Sequence, residues 1–528
     1  MTASATETDA QAREAQSRLA AAATGTVVSW HAERRPDVPA VVSAYGDRTF
    51  AELDTNANRL ARALRAAGLQ AGDAIALVCR NRPEFAEVHQ AAQRSGLRIT
   101  PVNWHLTGAE MAYIVADCDA KAIVADVAFA EAVTEAVDGN DVVTVRLAVG
   151  GDIPGFSSYD ETLAASSAEP LDTPALGRSM LYTSGTTGRP KGVDREVRPG
   201  GQTALYQRIF ATADMAAGDV HLCTGPLYHA APLSFSLALP LLHGMTVVLM
   251  DGWDAEETLR LVEKHKVTHT HVVPTMFHRL LALPDDVRAR YDVSSLRHIL
   301  HGAAPCPVDV KKRTIEWLGP VVYEYYAATE GGGTFVDSDE WMAKPGTVGK
   351  PTEEGVVRIE DDNGDELPAG EIGTVYLRAS AQGRFRYYKD NEKTEASYHG
   401  DYFTVGDHGY LDEDGYLFLT GRIAELIISG GVNIYPAEVD AVLLTHPAVG
   451  DVGTIGVPDE EWGERVVAVV EPKPGVEPTP QLAEELIAFC REQLAHYKCP
   501  RTVEFVEQLP RHDNGKLYRR KLRDLFAG

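Results

Sequence analysis

The sequence predicts an α/β protein in which a large N-terminal domain of two parallel-rich αβ sheets, with a small β-rich subdomain, precedes a small α+β C-terminal domain. Two observations lead to this prediction. Short apolar runs alternate with amphipathic stretches through the first part of the chain, which is typical of parallel sheets covered on both faces by helices. Beyond about residue 345 the pattern changes to short strands separated by glycines, and from residue 425 it is mixed again.

Each predicted element has its own signal. Residues 50–68 repeat leucine and alanine with helical spacing, and residues 482–495 have the pattern of an amphipathic helix. Apolar runs predict buried strands at 74–79, 122–126, 246–250, 268–274 and 297–302. Further strands are predicted within the glycine-punctuated segments 355–361, 373–379 and 409–422, and at 466–472.

The domain boundaries follow from these changes of pattern. We predict an N-terminal lead at 1–25, helical or disordered, and a large domain at 26–420. A hinge at 421–424 then leads to a C-terminal domain at 425–528.

Composition and charge narrow the possible classes of protein. The 528 residues are too many for one core, and 44% hydrophobic with 24% charged residues is an ordinary balance for a soluble protein. A net charge of −26 disfavours a nucleic-acid binder. The few cysteines form no CxxC pair and predict a reducing, cytoplasmic setting, and the first residues lack the features of a secretory signal.

The most hydrophobic window is 228–250. Two prolines, two histidines and a glycine interrupt it, whereas a membrane helix needs about 20 predominantly apolar residues. We therefore predict a buried helix followed by a buried strand at 246–250.

Residues 182–193, YTSGTTGRPKGV, combine glycines, hydroxyl side chains and Lys191. Glycine allows positive φ, so that backbone N–H groups can converge on an anion. The segment thus predicts a strand that opens into a polyphosphate-binding loop. It is not a Walker A loop, because Pro190 precedes the lysine and Gly192 follows it. The predicted phosphate-binding residues are Thr183, Ser184, Gly185, Thr186, Thr187 and Lys191.

This loop closely resembles the phosphate-binding loop of the adenylate-forming superfamily, which comprises acyl-CoA synthetases, adenylation enzymes and luciferases. Further segments resemble that family in the same order along almost the whole chain, and they indicate the acyl-CoA synthetase branch. The resemblance implies ATP-dependent activation of a carboxylic acid. It also implies that the C-terminal domain is mobile and serves two half-reactions in turn.

Two segments resemble the acid and adenine sides of the family's site, PLYHAAP at 226–232 and HGAAP at 301–305. The resemblance implies that His229 faces the reacting carboxylate and that the small residues of the second segment border adenine. The implied adenine neighbours are Gly302, Ala303 and Ala304, and the implied acyl pocket contains His229, Ser234, Phe235, Tyr325 and His301.

EYYAATE at 324–330 resembles the family's Tyr-Gly-x-Thr-Glu motif. By this resemblance Tyr326 stacks on adenine, Thr329 touches phosphate and Glu330 holds Mg²⁺, a hard cation that prefers oxygen ligands. Ala327 stands where the family usually has glycine.

YFTVGDHGYLDEDGYLFLTGR at 402–422 resembles the family's ribose-binding segment. Asp407 matches the carboxylate that accepts the ribose hydroxyls, and a carboxylate can accept two hydrogen bonds at once. Arg422 matches the arginine that closes the segment and reaches the ribose.

Two C-terminal segments complete the resemblance. The glycine-rich stretch 425–440 resembles the loop that lines the coenzyme A channel, which implies that Gly430, Gly431 and Asn433 lie on that side. The hinge falls at Ala424, where the family usually has Asp or Lys. LPRHDNGKLYRRKLR at 509–523 places Lys516 at the position of the catalytic lysine, in the densest basic stretch of an acidic protein.

Two other features do not predict chemistry. His269 and His271 could share one face of a strand, but a metal site needs a third ligand and supporting partners. No base can be assigned to Cys306 as a nucleophile.

Together these resemblances imply an ATP-dependent acyl-CoA ligase with Lys516, His229, Glu330 and Thr183 as catalytic residues. It would form an acyl-AMP from a hydrophobic acid (fatty, steroid- or terpenoid-like, or aryl) with release of pyrophosphate. Transfer of the acyl group to coenzyme A would then release AMP. The expected partners are the acid, ATP, Mg²⁺ and coenzyme A, with no nucleic acid and no membrane span; the oligomeric state stays open, a homodimer included.

Two alternatives stay open. The chain could be a stand-alone adenylating enzyme that loads a carrier protein. It could also be a non-catalytic nucleotide-binding regulator, although Lys516, Glu330 and Asp407 are all present.

Overall fold

A computed structural model describes residues 5–183, 190–195, 204–351, 353, 356–379, 384–422, 425–429, 432–459, 462–511 and 515–526. By its contacts the chain divides into two units. The first comprises Met1–His271, Asp285–Ile299 and Ser380–Ala396, and the second Val272–Pro284, Leu300–Ala379 and Ser397–Gly528. The predicted domain boundaries stay predictions, and Ala424 lies outside the described residues.

The helices alternate with strands through most of the chain. They are α1 (Ala5–Ala23), α2 (Val27–Arg34), α3 (Phe50–Ala66), α4 (Pro83–Arg94), α5 (Gly108–Asp117), α6 (Ala130–Val137), α7 (Tyr159–Ala164), α8 (Ala204–Ala213), α9 (Leu239–His243), α10 (Ala255–His265), α11 (Pro274–Ala282), α12 (Asp285–Arg288), α13 (Val308–Leu318), α14 (Ser338–Ala343), α15 (Asn391–Ala396), α16 (Pro436–Leu443), α17 (Pro480–Gln493) and α18 (Arg519–Phe526).

The strands are short in the first unit and longest near the C-terminus. They are β1 (Pro39–Val42), β2 (Arg48–Thr49), β3 (Ala74–Val78), β4 (Arg98–Pro101), β5 (Ala120–Asp126), β6 (Val145–Val149), β7 (Ser157–Ser158), β8 (Arg178–Ser179), β9 (Leu181–Thr183), β10 (Lys191–Asp194), β11 (Val220–Cys223), β12 (Thr246–Leu249), β13 (His269–Val272), β14 (His298–His301), β15 (Val322–Ala328), β16 (Gly331–Val336), β17 (Lys350–Pro351), β18 (Val357–Glu360), β19 (Gly373–Arg378), β20 (Arg386–Tyr387), β21 (Tyr398–His399), β22 (Tyr402–Phe403), β23 (Asp407–Leu411), β24 (Leu417–Arg422), β25 (Ile427–Ser429), β26 (Val432–Ile434), β27 (Val449–Asp459), β28 (Gly463–Pro472) and β29 (Thr502–Phe505).

The first unit contains parallel strands in two sheets, as predicted. One sheet is wholly parallel and has the order β7–β6–β5–β3–β4–β8. In the other, β13, β11, β12 and β1 run parallel in that order, and β2 is antiparallel to β1. A third, antiparallel sheet has the order β20–β10–β9.

Helix α3 shows how the sequence builds this unit. Thr49 accepts the N–H of Glu52, whose carboxylate accepts the N–H of Thr49, and this capping box starts the helix. Its apolar face, including Leu53 and Leu60, is fully buried. Burial of such a side chain stabilises the fold by about 1.5–3 kcal/mol.

The second unit is mainly antiparallel, which confirms the predicted β-rich region. Strands β15, β16 and β17 pair in sequence, and a second sheet has the order β21–β22–β19–β23–β24 with β18 on β19. The last sheet has the order β26–β25–β28–β27, and β29 joins β28 in parallel. Helices α16 and α17 bury their apolar faces in a core that includes Val449 and Val470.

The window 228–250 forms the predicted buried helix, and its first part is wider than an α-helix. Pro232–Ala238 is a π-helix, α9 continues it for one turn, and β12 follows as predicted. None of the helices in the described ranges has the length and apolarity that a membrane crossing requires. At the N-terminus, α1 covers most of the predicted lead, so this segment is helical.

Candidate active site

The ends of the predicted phosphate loop are brought together by a β-hairpin in the first unit. Strand β9 ends at Thr183 and β10 begins at Lys191, and these two residues face each other in antiparallel register. The Thr183 hydroxyl donates to the Lys191 carbonyl oxygen at 3.5 Å. The predicted strand before the loop is therefore confirmed, whereas Ser184, Gly185, Thr186 and Thr187 lie outside the described residues.

The Lys191 ammonium has a carboxylate partner that the sequence did not predict. Lys191 Nζ lies 2.6 Å from Asp390 Oδ2, and both side chains are about one quarter exposed. The hydrogen bond between them raises the pKa of Lys191 and lowers the pKa of Asp390. The lysine is thus held charged beside the two ends of the loop.

The segment 226–232 is fixed by a buried amide. Asn81 Nδ2 donates to the carbonyl oxygens of Gly225 at 2.9 Å and Met250 at 3.0 Å. Its Oδ1 accepts the N–H of Leu227 at 3.0 Å. Asn81 lies two residues after the apolar run 74–79, and a polar residue near the end of such a run is the one signal in the sequence that could have identified it.

His229 lies in an aromatic setting. Its ring centroid is 4.4 Å from that of Tyr228, and Trp104 stands perpendicular to Tyr228 at 4.5 Å. The His229 carbonyl oxygen accepts the N–H of Leu233 at the start of the π-helix. These rings pack against one another on the side of the site where the acid is predicted to bind.

The π-helix carries Ser234 and Phe235, two residues of the predicted acyl pocket. Phe235 is buried and its ring stacks on that of His271 at 5.7 Å. Burial lowers the pKa of His271 to about 3, so that this ring is neutral at neutral pH. Within the described ranges, no group of three or more His, Cys, Asp or Glu side chains could hold a metal ion.

In the second unit a hydrogen bond joins two predicted nucleotide ligands. The Tyr326 hydroxyl, on β15, donates to Asp407 Oδ2 at 2.7 Å. Asp407 begins β23, is 5% exposed, and faces Arg422 in register on β24. The structure therefore brings the predicted adenine-stacking ring to the predicted ribose carboxylate; the Arg422 side chain lies outside the description.

A close approach requires glycine at position 302, directly after β14. A Cβ on Gly302 would lie 2.7 Å from the Tyr325 carbonyl oxygen and 2.8 Å from its ring, closer than real contacts allow. Ala303 has φ +69°, in the left-handed region that non-glycine residues seldom adopt. Tyr325 is thus packed against Gly302, and Ala303 and Ala304 continue the chain from this contact.

Thr329 and Glu330 form the turn between β15 and β16. Ala328 and Gly331 face each other in register, which leaves these two residues at the tip of the hairpin, both half-buried. A carboxylate at such a tip can give one oxygen to a hard cation whose other ligands are phosphate oxygens and water. The position and chemistry of Glu330 therefore fit the predicted magnesium ligand.

A buried ion pair supports this hairpin. Lys311 Nζ, on α13, lies 2.5 Å from Glu324 Oε2 on β15, and Lys311 is wholly buried. The Lys311 ammonium also lies 4.8 Å from the centre of the Trp341 ring. His301 Nε2 is 3.6 Å from the same Glu324 oxygen, which links the end of β14 to the pair.

Burial raises the pKa of the neighbouring Cys306 thiol, which therefore stays protonated at neutral pH.

Lys516 lies next to α11 in the second unit. Gly515 has φ +76°, and a Cβ there would collide with the Thr275 hydroxyl and lie 2.9 Å from Val273. Only glycine permits this approach, so Gly515 is what lets the lysine segment pack against the start of α11.

The predicted coenzyme A loop is only partly described. Strands β25 and β26 form a hairpin in which Ile428 faces Asn433, and Gly430 and Gly431 at its tip lie outside the described residues. Its relation to coenzyme A stays a prediction.

Comparison with known proteins agrees with this order of elements. A family model described as AMP-binding enzyme matches residues 28–388, and one described as AMP-binding enzyme C-terminal domain matches residues 438–516. The fatty acid–[acyl-carrier-protein] ligase ScoC of Streptomyces coeruleorubidus is 33% identical over 95% of this chain and 96% of its own. The 2-succinylbenzoate–CoA ligase of Bacillus licheniformis is 35% identical over 93% and 98%. The crystal structure of ATP-bound MatB from Rhodopseudomonas palustris matches with a TM-score of 0.81 at 28% identity, over 96% of this chain and 99% of that one.

Proposed function

The chain belongs to the AMP-binding enzyme family and is an AMP-forming acid–thiol ligase, and we propose that it converts a hydrophobic carboxylic acid into its coenzyme A thioester. The acid is fatty, steroid- or terpenoid-like, or aryl. One observation supports the nucleotide half of this proposal above all, namely the hydrogen bond from Tyr326 to Asp407. It fixes a flat ring and a carboxylate side by side, as an adenosine requires.

In the first half-reaction a carboxylate oxygen of the acid attacks the α-phosphorus of ATP, and the bond from that phosphorus to pyrophosphate breaks. Both reactants are anions, so catalysis consists mainly of alignment and neutralisation of charge. Lys516 is the proposed cation at the reacting phosphate, and Lys191 with Thr183 binds the phosphates that leave. A magnesium ion bound at Glu330 would supply further neutralising charge.

The acid side depends on shape rather than charge. His229 and its aromatic neighbours wall the proposed carboxylate position, and the buried Phe235 and Tyr325 offer apolar surface to the acyl chain.

In the second half-reaction the thiolate of coenzyme A attacks the acyl carbon, and the bond to AMP breaks. Gly430, Gly431 and Asn433 are the proposed neighbours of the thiol, and Ala424 is the proposed hinge of the movement between the two steps.

One alternative has direct support. The similarity to ScoC, a ligase that uses acyl-carrier protein, favours a carrier thiol as the second candidate acceptor. Both acceptors end in a thiol, so the first half-reaction is the same for both.

The test uses the full-length protein with Mg·ATP and a panel containing a C12 fatty acid, a steroid acid and benzoate. Pyrophosphate release that depends on the acid, followed by acyl-CoA formation seen by mass spectrometry, is the expected result. A parallel reaction with phosphopantetheinylated acyl-carrier protein would identify the alternative by acylation of the carrier in place of coenzyme A. Binding of ATP without pyrophosphate release from any acid would contradict the enzymatic proposal and favour a regulator.

A further inference from the structure

The main chain on both sides of Lys516 is held within the C-terminal segment. On one side, Arg511 Nη1 donates to the Gly515 carbonyl oxygen at 2.8 Å. On the other side, Leu517 is 7% exposed and packs against Gly453, where a Cβ would collide with it. These contacts fix the peptide groups that flank the lysine.

Arg511 is itself held by a carboxylate. Its Nε lies 2.5 Å from Asp451 Oδ2 and its Nη2 lies 2.6 Å from Asp451 Oδ1, a bidentate pair at the start of β27. Both side chains are mostly buried, at 18% and 15% exposure. The planar guanidinium can bind two carboxylate oxygens and still donate to Gly515, whereas an ammonium lacks this fixed fork of donors.

The same end of β27 also contacts α11. His278 Nε2 lies 2.8 Å from the carbonyl oxygen of Gly450, the residue before Asp451. A carbonyl oxygen only accepts, so the ring donates from Nε2. Burial lowers the pKa of His278, which keeps the ring neutral in this contact. Helix α11 thus meets the lysine segment at Thr275 and the support of that segment at His278.

We propose that Arg511, Asp451 and His278 form a clasp that positions Lys516 for adenylate formation and takes no part in thioester formation. This inference rests on the proposed function, in which Lys516 serves the first half-reaction alone. The three residues act through the lysine and touch no substrate. Arg511 and Asp451 set the course of the main chain before Lys516, and His278 sets the position of that assembly on α11.

The first test measures the two half-reactions of Arg511→Lys separately. Adenylate formation, followed by acid-dependent pyrophosphate release in single-turnover mode, should fall about 10- to 100-fold, a loss smaller than removal of Lys516 itself. Conversion of supplied acyl-adenylate to thioester should stay within twofold of the unmodified protein. Arg491→Lys, at an exposed position of α17, is the matched control and should change neither step.

A double variant distinguishes positioning from a general structural role. If Arg511 acts through Lys516, then Arg511→Lys combined with Lys516→Ala should lose no more adenylation than Lys516→Ala alone. Additive losses, or equal losses in both half-reactions, would overturn the clasp.

His278 offers a conservative rescue. His278→Gln keeps an N–H donor for the Gly450 carbonyl and should retain adenylation within threefold. His278→Phe removes the donor at similar volume and should lose about tenfold, again without effect on the second step. Equal activity of the two variants would contradict the role of the hydrogen bond.

Lys516→Ala distinguishes a failure of the proposed role of Lys516 from a failure of the clasp. If that variant still forms adenylate at the normal rate, the proposed role of Lys516 is wrong. If it does not, while Arg511→Lys adenylates within twofold of normal, the role of Lys516 stands and the clasp is wrong.

Discussion

Lys191 in the first unit and Lys516 in the second are the two cations proposed to meet the phosphates, and the contacts described around them are of different kinds. Asp390 binds the Lys191 ammonium directly. Lys516 is positioned through its neighbours, since Arg511 holds the peptide before it and Leu517 is buried after it. A carboxylate partner holds the Lys191 ammonium in place and partly offsets its charge. The contacts around Lys516 fix the main chain from which its side chain extends.

The largest expected effect comes from removing the lysine that is held through its main chain. Lys516→Ala should slow adenylate formation about 10²–10⁴-fold, the scale of losing one preorganised charge. Thioester formation from supplied acyl-adenylate should be largely retained. Rapid-quench measurement of both steps, with Lys521→Ala as an exposed control, checks this. Equal loss in both steps would contradict the proposed role of Lys516 in the first half-reaction alone.

Lys311 extends the comparison to a lysine that is paired directly and wholly buried. Lys311→Met should lower the free energy of unfolding by about 3–5 kcal/mol, because it leaves the Glu324 carboxylate buried without its ammonium partner. Urea unfolding followed by tryptophan fluorescence measures the loss. Lys312→Met, at the exposed neighbouring position, is the control. The double variant with Glu324→Gln should recover much of the loss, and failure to recover would show that the charge pair is not the cause.

Variants at Lys191 and Asp390 test whether an ammonium that is already paired with a carboxylate still contributes to ATP binding. Lys191→Met should raise the Kd for ATP about 10- to 100-fold, since a charge-assisted hydrogen bond contributes about 1.5–3 kcal/mol. Asp390→Asn keeps the ammonium and should change the Kd less than threefold. Calorimetry measures both, with Lys389→Met, which pairs with Asp119, as control. If Asp390→Asn weakened ATP as much as Lys191→Met, the lysine would serve the carboxylate rather than the phosphates.

The smallest expected effect is on how the stability of the fold depends on pH. Burial lowers the pKa of His89 from 6.5 to about 4. Below pH 6.5 the unfolded chain takes up a proton at His89, whereas the folded chain does not until the pH approaches 4. His89 therefore leaves the free energy of unfolding unchanged above pH 6.5. Between pH 6.5 and 4 it lowers that free energy by up to about 1.4 kcal/mol per pH unit. His89→Gln should therefore reduce the fall in melting temperature between pH 6.5 and 5, and the exposed His105→Gln should not.

The predictions from sequence succeeded where a signal is local. The apolar runs at 74–79 and 246–250 form strands because each is short, apolar and bounded by turn residues. The alternation of such runs with helices predicted the parallel sheets for the same reason. Candidate residues close in sequence also came together, as Thr183 and Lys191 did across one hairpin.

Long-range partners could not be predicted in this way. Asp390, Asn81 and Asp451 each bind a residue far along the chain, and nothing in the local sequence states which distant group will be adjacent after folding. In the window 228–250 the predicted buried helix and strand are present, but the π-helical form of the helix could not be predicted, for another reason. Its residues are apolar on nearly every side, so that periodicity cannot distinguish an α-helix from a wider one.

That wider helix has a consequence for how the proposed acyl pocket can change. In Pro232–Ala238 the Leu239 N–H bonds to the Ser234 carbonyl five residues earlier, one residue more than an α-helical turn holds. Loss of one codon there would let the turn close as an α-helix, and the side chains on one side of the deletion would rotate by about 100° relative to those on the other. A single deletion would thus change which side chains lie beside Phe235. Because Phe235 belongs to the proposed acyl pocket, we expect acid preference to respond to such a change in length as well as to substitution.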